Sequence, residues 1–263
     1  MGWLTDRRRR HILENPFPNA WRTYLEGNVA AYAWLSLGEQ QRLRELAQVF
    51  IAEKHWEGCG GLELTDEIRV TIAGTACLML LGRDHDLFVR VVSILVYPSG
   101  FIERAPAFRR YTAREPVQDE TPVFGLSMTR GPIILSWDEV LSGSRDPTDG
   151  RNLVFHEFAH KIDETNGVAD GTPLFDDNAE RIRWGRAFND AFLADKQRAR
   201  RDMTGFLGDY ALKNEAEYFA VATEMFFERP REMQQALPGV YAVMRDFYRI
   251  DFAVNFAVRA LEN

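Results

Sequence analysis

The stretch Asn152-Leu153-Val154-Phe155-His156-Glu157-Phe158-Ala159-His160-Lys161-Ile162-Asp163 decides how this chain is read. It holds His-Glu-x-x-His inside an apolar run with helical spacing. On a helix of about 3.6 residues per turn, His156 and His160 fall roughly 40° apart on one face. Two imidazoles so placed reach a single metal ion. Glu157 projects to the side, roughly 60° from His160, where it can hold a water bound to that ion. Two neutral imidazoles, a carboxylate base and an open coordination position make up the zinc-hydrolase pattern.

The surroundings favour that reading over two histidines that happen to fall four apart. Leu153, Val154, Phe155, Phe158, Ala159 and Ile162 make the helix apolar enough to be buried. Polar side chains enter such a helix at a cost unless they have partners, and a metal ion supplies one. Asp149-Gly150 precedes the helix, and Asn166-Gly167 offers a left-handed stop after it.

A catalytic zinc takes three protein ligands and a water. His11, His55 and His85 lie far upstream without ligand spacing. The extended motif His-Glu-x-x-His-x-x-Gly-x-x-His is excluded, because positions 163 and 166 are Asp163 and Asn166. A carboxylate remains, and the residues leave two candidates. Glu180 follows His160 by twenty residues but reads equally as an acidic helix start beside Arg181 and Arg183. Glu217 lies in Asn214-Glu215-Ala216-Glu217-Tyr218-Phe219-Ala220-Val221-Ala222-Thr223-Glu224-Met225-Phe226-Phe227, where Glu217, Val221 and Glu224 share one stripe. A helix so rich in Phe and Ala is expected to be buried, which favours a ligand with a supporting carboxylate.

Working outward, Pro16 and Pro18 interrupt the first helix, and Trp21, Leu25, Val29, Tyr32 and Leu35 mark a helical pattern. Ser36 with Glu39 forms a capping box for a helix to about His55. Gly58-Cys59-Gly60-Gly61 reads as a tight turn, since a phosphate loop would need a preceding strand and a Lys-Ser/Thr. Thr65-Asp66-Glu67 opens an apolar helix to Leu81. Val91 to Tyr97 is the clearest strand, and Val123 to Thr129 and Pro132 to Trp137 read as two more. Between them, Glu103 to Pro122 is polar and irregular. Strands just before the His-Glu-x-x-His helix imply a small sheet over it, with an edge able to pair with an extended peptide. Helices are expected at about 177–200 and 214–228, and a last one from Pro238.

The 263 residues are 46% hydrophobic and 27% charged, with a net charge of −7. That is globular composition, and the sign argues against direct nucleic-acid binding through a basic surface. Arg7 to Arg10 read as a solvated basic helix start. No apolar run reaches membrane-helix length, and none follows the arginines as a secretory signal would require. Cys59 and Cys77 fit no metal spacing and read as reduced thiols of a cytoplasmic protein.

Gly58-Cys59-Gly60-Gly61-Leu62-Glu63, Ile94-Leu95-Val96-Tyr97-Pro98, His156 to Asp163, Asn166-Gly167 with Asp170-Gly171, and Glu217 to Phe227 together resemble the Mlc titration factor A family of zinc-dependent peptidases. The resemblance implies a catalytic fold similar to the anthrax lethal factor protease domain, with aminopeptidase-like activity in the cytoplasm. It also implies binding of a transcriptional repressor of the Mlc type, and so a link to control of sugar uptake. Carried over by position, it puts one Zn2+ on His156, His160 and Glu217, makes Glu157 the general base and gives Tyr210 the oxyanion. One departure is Glu215, where many relatives carry Pro.

The expectation is therefore an α+β, mostly helical, zincin-like metallopeptidase of the gluzincin type. A helical N-terminal part (1–90) is expected to pack on a catalytic part (91–263) acting on a peptide or protein substrate. The alternative is a regulatory protein that sequesters a repressor with little or no proteolysis.

Overall fold

The computed structural model describes residues 3–83, 85–99 and 131–254. The expected strand Val123 to Thr129 and the polar segment Glu103 to Pro122 lie outside the described residues. The described part is mostly helical, with one small sheet.

The N-terminal helices are α1 (Trp3–Leu13), α2 (Asn19–Asn28) and α3 (Leu37–Glu53). Residues Ala30–Trp34 tighten into a 3-10 turn rather than continuing the helix expected from Trp21 to Leu35. Ser36 caps α3 through the expected box: its hydroxyl accepts from Glu39 N–H while the Glu39 carboxylate accepts from Ser36 N–H. α3 stops at Glu53, and the chain enters strand β1 (His55–Gly58). Thr65 caps α4 (Asp66–Leu78), all of whose residues from Val70 on are buried. The expected extension to Leu81 becomes i→i+3 turns at Met79, Leu80 and Leu81.

Strands β2 (Ser93–Tyr97) and β3 (Ile133–Ser136) complete a parallel sheet of order β1-β2-β3 among the described residues. Trp56 pairs with Ile94, and Ile94 and Val96 pair with Ile133 and Leu135. The period-2 alternation sends Ile94, Val96, Ile133 and Leu135 to the same buried face.

Then follow α5 (Trp137–Arg145), α6 (Leu153–Asp163), α7 (Asn178–Ala199), α8 (Glu215–Glu228), α9 (Pro230–Ala236) and α10 (Pro238–Tyr248). Asp177 and Asn214 cap α7 and α8, and Pro stands in the first turn of α9 and α10. α6 packs along α8 and touches α4 and β3. One contiguous core runs from Leu25 to Ala253. Its aromatic part includes Trp184 stacked on Phe188 at 4.4 Å and Phe155 stacked on Phe227 at 4.8 Å. α6 and α8 therefore have little freedom to shift against each other, because close-packed interiors resist small displacements.

The segment after α6 is held by its ends. Gly167 takes the left-handed conformation (φ 95°) that terminates the helix. Gly171 donates its N–H to the buried Asp163 Oδ2 at 2.9 Å and accepts from Trp184 Nε1 at 2.9 Å. Burial raises the Asp163 carboxyl to about 6 against the opposing pull of that Gly171 hydrogen bond.

Candidate metal centre

Asn152 sets the start of α6: its Oδ1 accepts from Val154 N–H at 3.1 Å and Phe155 N–H at 3.2 Å. One turn on, His156 is buried, and His160 stands four residues later on the same face, half-buried. Asn214 starts α8 by accepting from Glu217 N–H at 2.8 Å, which fixes the first turn from which Glu217 projects. That carboxyl is 4% exposed, so the stripe read in the sequence faces inward.

The three side chains meet. His156 Nε2 lies 3.2 Å from His160 Nε2 and 3.2 Å from Glu217 Oε2, and His160 Nε2 lies 3.5 Å from Glu217 Oε2. Among the described residues this is the one His/Cys/Asp/Glu cluster of a kind that can hold a metal ion. Two donor atoms on a tetrahedral zinc, each about 2.05 Å from it, stand about 3.3 Å apart. The sides of the triangle match that spacing.

The remaining contacts of His156 sharpen the fit. Its Nδ1 is 2.8 Å from Glu224 Oε1, and a carboxylate there assigns the proton to Nδ1 and leaves the Nε2 lone pair facing the triangle. Glu217 Oε2 is enclosed and, despite the two short distances, has no partner of hydrogen-bond geometry. Three electron-rich atoms at about 3 Å repel unless a cation joins them, and a buried carboxylate oxygen left unpaired is costly.

The electrostatics of the cluster are strongly coupled. Burial alone would lower His156, but the Glu217 and Glu224 carboxylates overcome it and hold the ring proton up to about 10. Burial would raise Glu217, yet His156 and His160 bring it well below the usual carboxylate range.

Glu157 is half-buried on α6 beside the pair of imidazoles. Tyr210 opens the 3-10 turn Tyr210–Lys213 just before α8, with its ring centroid 6.1 Å from that of His156 and 39% exposure. Glu180 is exposed in the first turn of α7, outside the cluster. His11 and His55 are exposed, and half-buried His85 is pushed down to about 4 by burial and then by Arg9.

Sequence reasoning did not find Asn152 or Glu139. Asn152 is legible afterwards, since Asn one residue before an apolar helix is an N-cap signal. Glu139 follows β3 in the first turn of α5. Burial raises its carboxyl first, and the charges of Asp138 and Glu157 add to that, so it stands near Glu157. Nothing in its local sequence marks it.

Comparison with known proteins agrees with this geometry. Residues 3–249 match the glucose-regulated metallo-peptidase M90 family. The chain belongs to that family. It is 31% identical over 255 residues to an uncharacterized protein of Synechocystis, covering 96% of this chain and 91% of the relative. It is also 31% identical over 239 residues to Mlc titration factor A of Pectobacterium atrosepticum, covering 85% of this chain and 84% of the relative. To Mlc titration factor A of Edwardsiella ictaluri it is 31% identical over 257 residues, with 88% and 92% coverage. Family membership makes the chain metallopeptidase-like, and the cluster gives that class a place for its metal. Among the described residues no helix is long and apolar enough to cross a membrane.

Proposed function

We propose that this protein is a zinc-dependent peptidase of the gluzincin type, with the metal on His156, His160 and Glu217. The observation that carries the reading is the triangle of two Nε2 atoms and one Oε2 at 3.2, 3.2 and 3.5 Å. A bound zinc supplies Lewis-acid polarisation of the scissile carbonyl and a nucleophilic water near neutral pH. Two imidazoles and one carboxylate, rather than four Cys or His, are the donor set of an open, catalytic site.

Glu157 takes the proton from the attacking water and passes it to the departing amine. The Tyr210 hydroxyl, on the exposed side of His156, donates to the carbonyl oxygen as negative charge develops there. Glu224 holds His156 in the tautomer that leaves Nε2 as a donor to the metal. An extended peptide lies along the edge that β3 forms among the described residues and presents its carbonyl to the site. The arrangement is that of a zincin-like catalytic unit. The N-terminal part (1–90) and the catalytic part (91–263) act as one body, because β1 of the first is hydrogen-bonded to β2 of the second.

Purified protein tested on amino-acid and peptide chromogenic substrates, with and without chelator, decides this reading. Hydrolysis that chelator abolishes and zinc restores supports it, and a preference for unblocked N-termini supports aminopeptidase action. Hydrolysis indifferent to chelator overturns it.

The name of two relatives, Mlc titration factor A, favours a second role: binding a repressor of the Mlc type in the cytoplasm and so influencing sugar uptake. Under that reading Glu157→Gln leaves repressor capture intact. If it is the only role, the same variant leaves the cellular phenotype intact as well.

A further inference from the structure

α6 and α8 cross the site in opposite directions. Glu224 reaches Asn152 and His156 at the start of α6, and Glu217, further back on α8, reaches His156 and His160. A third crossing follows at the end of α6, and it runs through Asp163. On a helix of about 3.6 residues per turn Asp163 falls within roughly 60° of both histidines, so it continues the face that carries the candidate ligands.

Asp163 is 0% exposed, and its Oδ1 has no hydrogen-bond partner. An apolar side chain of the same size would avoid that loss, so filling space does not account for a carboxylate here. Its Oδ2 accepts from Gly171 N–H at 2.9 Å, while the Gly171 carbonyl accepts from Trp184 Nε1 of α7 at 2.9 Å. Both main-chain groups of Gly171 are thereby fixed. The glycine lies directly against the first turn of α8: a Cβ on it would fall 2.5 Å from the Glu215 carbonyl oxygen and 3.5 Å from Phe219 Cβ. Glu215 stands two residues before Glu217 in that turn. The path Asp163, Gly171, Glu215 thus joins the ligand face of α6 to the turn that presents the third ligand.

We propose that Asp163 is a positioning residue for the metal centre: through Gly171, its carboxylate seats the first turn of α8 so that Glu217 faces His156 and His160 before a metal arrives. The proposal rests on Glu217 being a metal ligand.

The test compares wild type, Asp163→Asn, Asp163→Leu and Tyr241→Phe in the full chain. Tyr241 is the packing control, since its hydroxyl donates to Asp251 Oδ1 at 2.7 Å and accepts from Ala253 N–H at 2.9 Å, with no link to the cluster. Zinc affinity is measured by chelator competition, and the visible spectrum of the Co2+-loaded protein reports coordination geometry. Thermal unfolding and exchange of the Gly171 amide are followed in the metal-free protein. Asn keeps an acceptor for Gly171, so D163N is expected within about threefold of wild-type affinity, with unchanged Co2+ bands and a protected amide. D163L is expected to lose affinity about tenfold or more, to shift the bands and to exchange the Gly171 amide about tenfold faster or more. Y241F should lower the metal-free Tm and keep wild-type affinity. Wild-type affinity and bands in D163L overturn the proposal, and so does D163N losing as much as D163L. Affinity that falls with Tm in Y241F as it does in D163L also overturns it, because metal binding then follows overall stability. Should D163L not fold, Gly171→Ala carries the test by displacing Glu215 from the other side. The same loss of affinity is expected there, and an unchanged affinity is contrary. A wild-type protein that binds no zinc overturns the metal reading itself, and the proposal with it.

Discussion

His156 Nδ1 stands 2.8 Å from Glu224 Oε1, and the other oxygen of that carboxylate accepts from Asn152 N–H at 2.7 Å. One side chain of α8 thus ties both the ring of His156 and the start of the helix that bears it. Glutamine at 224 has a single oxygen and can satisfy only one of these donors. Glu224→Gln should therefore weaken zinc binding about 10- to 100-fold with far-UV circular dichroism unchanged. Chelator competition at wild-type strength would remove Glu224 from the account.

Glu217 N–H is held by Asn214 Oδ1 at 2.8 Å, so the cap sets the turn from which the third ligand projects. Asn214→Ala is expected to cost about 1 kcal/mol. The urea midpoint should fall, and zinc affinity should fall with it. A variant that loses neither shows that the first turn of α8 is fixed by packing alone.

Gly171 sits at φ +76°, and a Cβ there would lie 2.5 Å from the Glu215 carbonyl oxygen. Alanine meets both backbone strain and overpacking, together about 2 kcal/mol or more. For a chain of this size the Tm of Gly171→Ala should drop about 4–8 °C. A Tm unchanged in differential scanning calorimetry would mean that the 166–172 segment yields without cost.

The Glu228 carboxyl is raised from 4.5 to about 9, chiefly by burial and then by Glu224 and Asp149 against the pull of Asn152. The folded state therefore binds more protons than the unfolded state between those limits, and stability falls as pH rises through the window. The slope from this one group reaches about 1.4 kcal/mol per pH unit. Glu228→Gln does not titrate, so its stability should decline less than wild type between pH 5 and pH 9. Parallel urea-midpoint curves for the two proteins across that range would contradict the assignment.

Much of this architecture is written locally. The capping residues Ser36, Thr65, Asp177 and Asn214 announce their helices, and Asn166-Gly167 announces a stop. The inward stripe of Glu217, Val221 and Glu224 follows from a helix too rich in Phe and Ala to face water. What escaped is non-local. His55-Trp56-Glu57-Gly58 lacks the β-branched run of a strand and becomes one only through pairing with Ser93 to Val96. The parallel order of the sheet has no signature within any strand. From the residues alone, the choice between Glu180 and Glu217 stays open, because spacing in sequence does not say which carboxylate folds back onto α6. The triangle of distances brings Glu217 to the histidines and leaves Glu180 on the surface. Glu228 and Asn152 escaped for the same reason, since they come to line one small cavity only once α8 lies against the start of α6.

The central claim is a catalytic zinc on His156, His160 and Glu217 with Glu157 as the base. The most direct measurement is metal content and peptide hydrolysis of wild type and Glu157→Gln, purified and assayed side by side. The account predicts about one zinc per chain in both proteins, with hydrolysis in wild type alone. Equal hydrolysis by the two, or a wild type without metal, would contradict it.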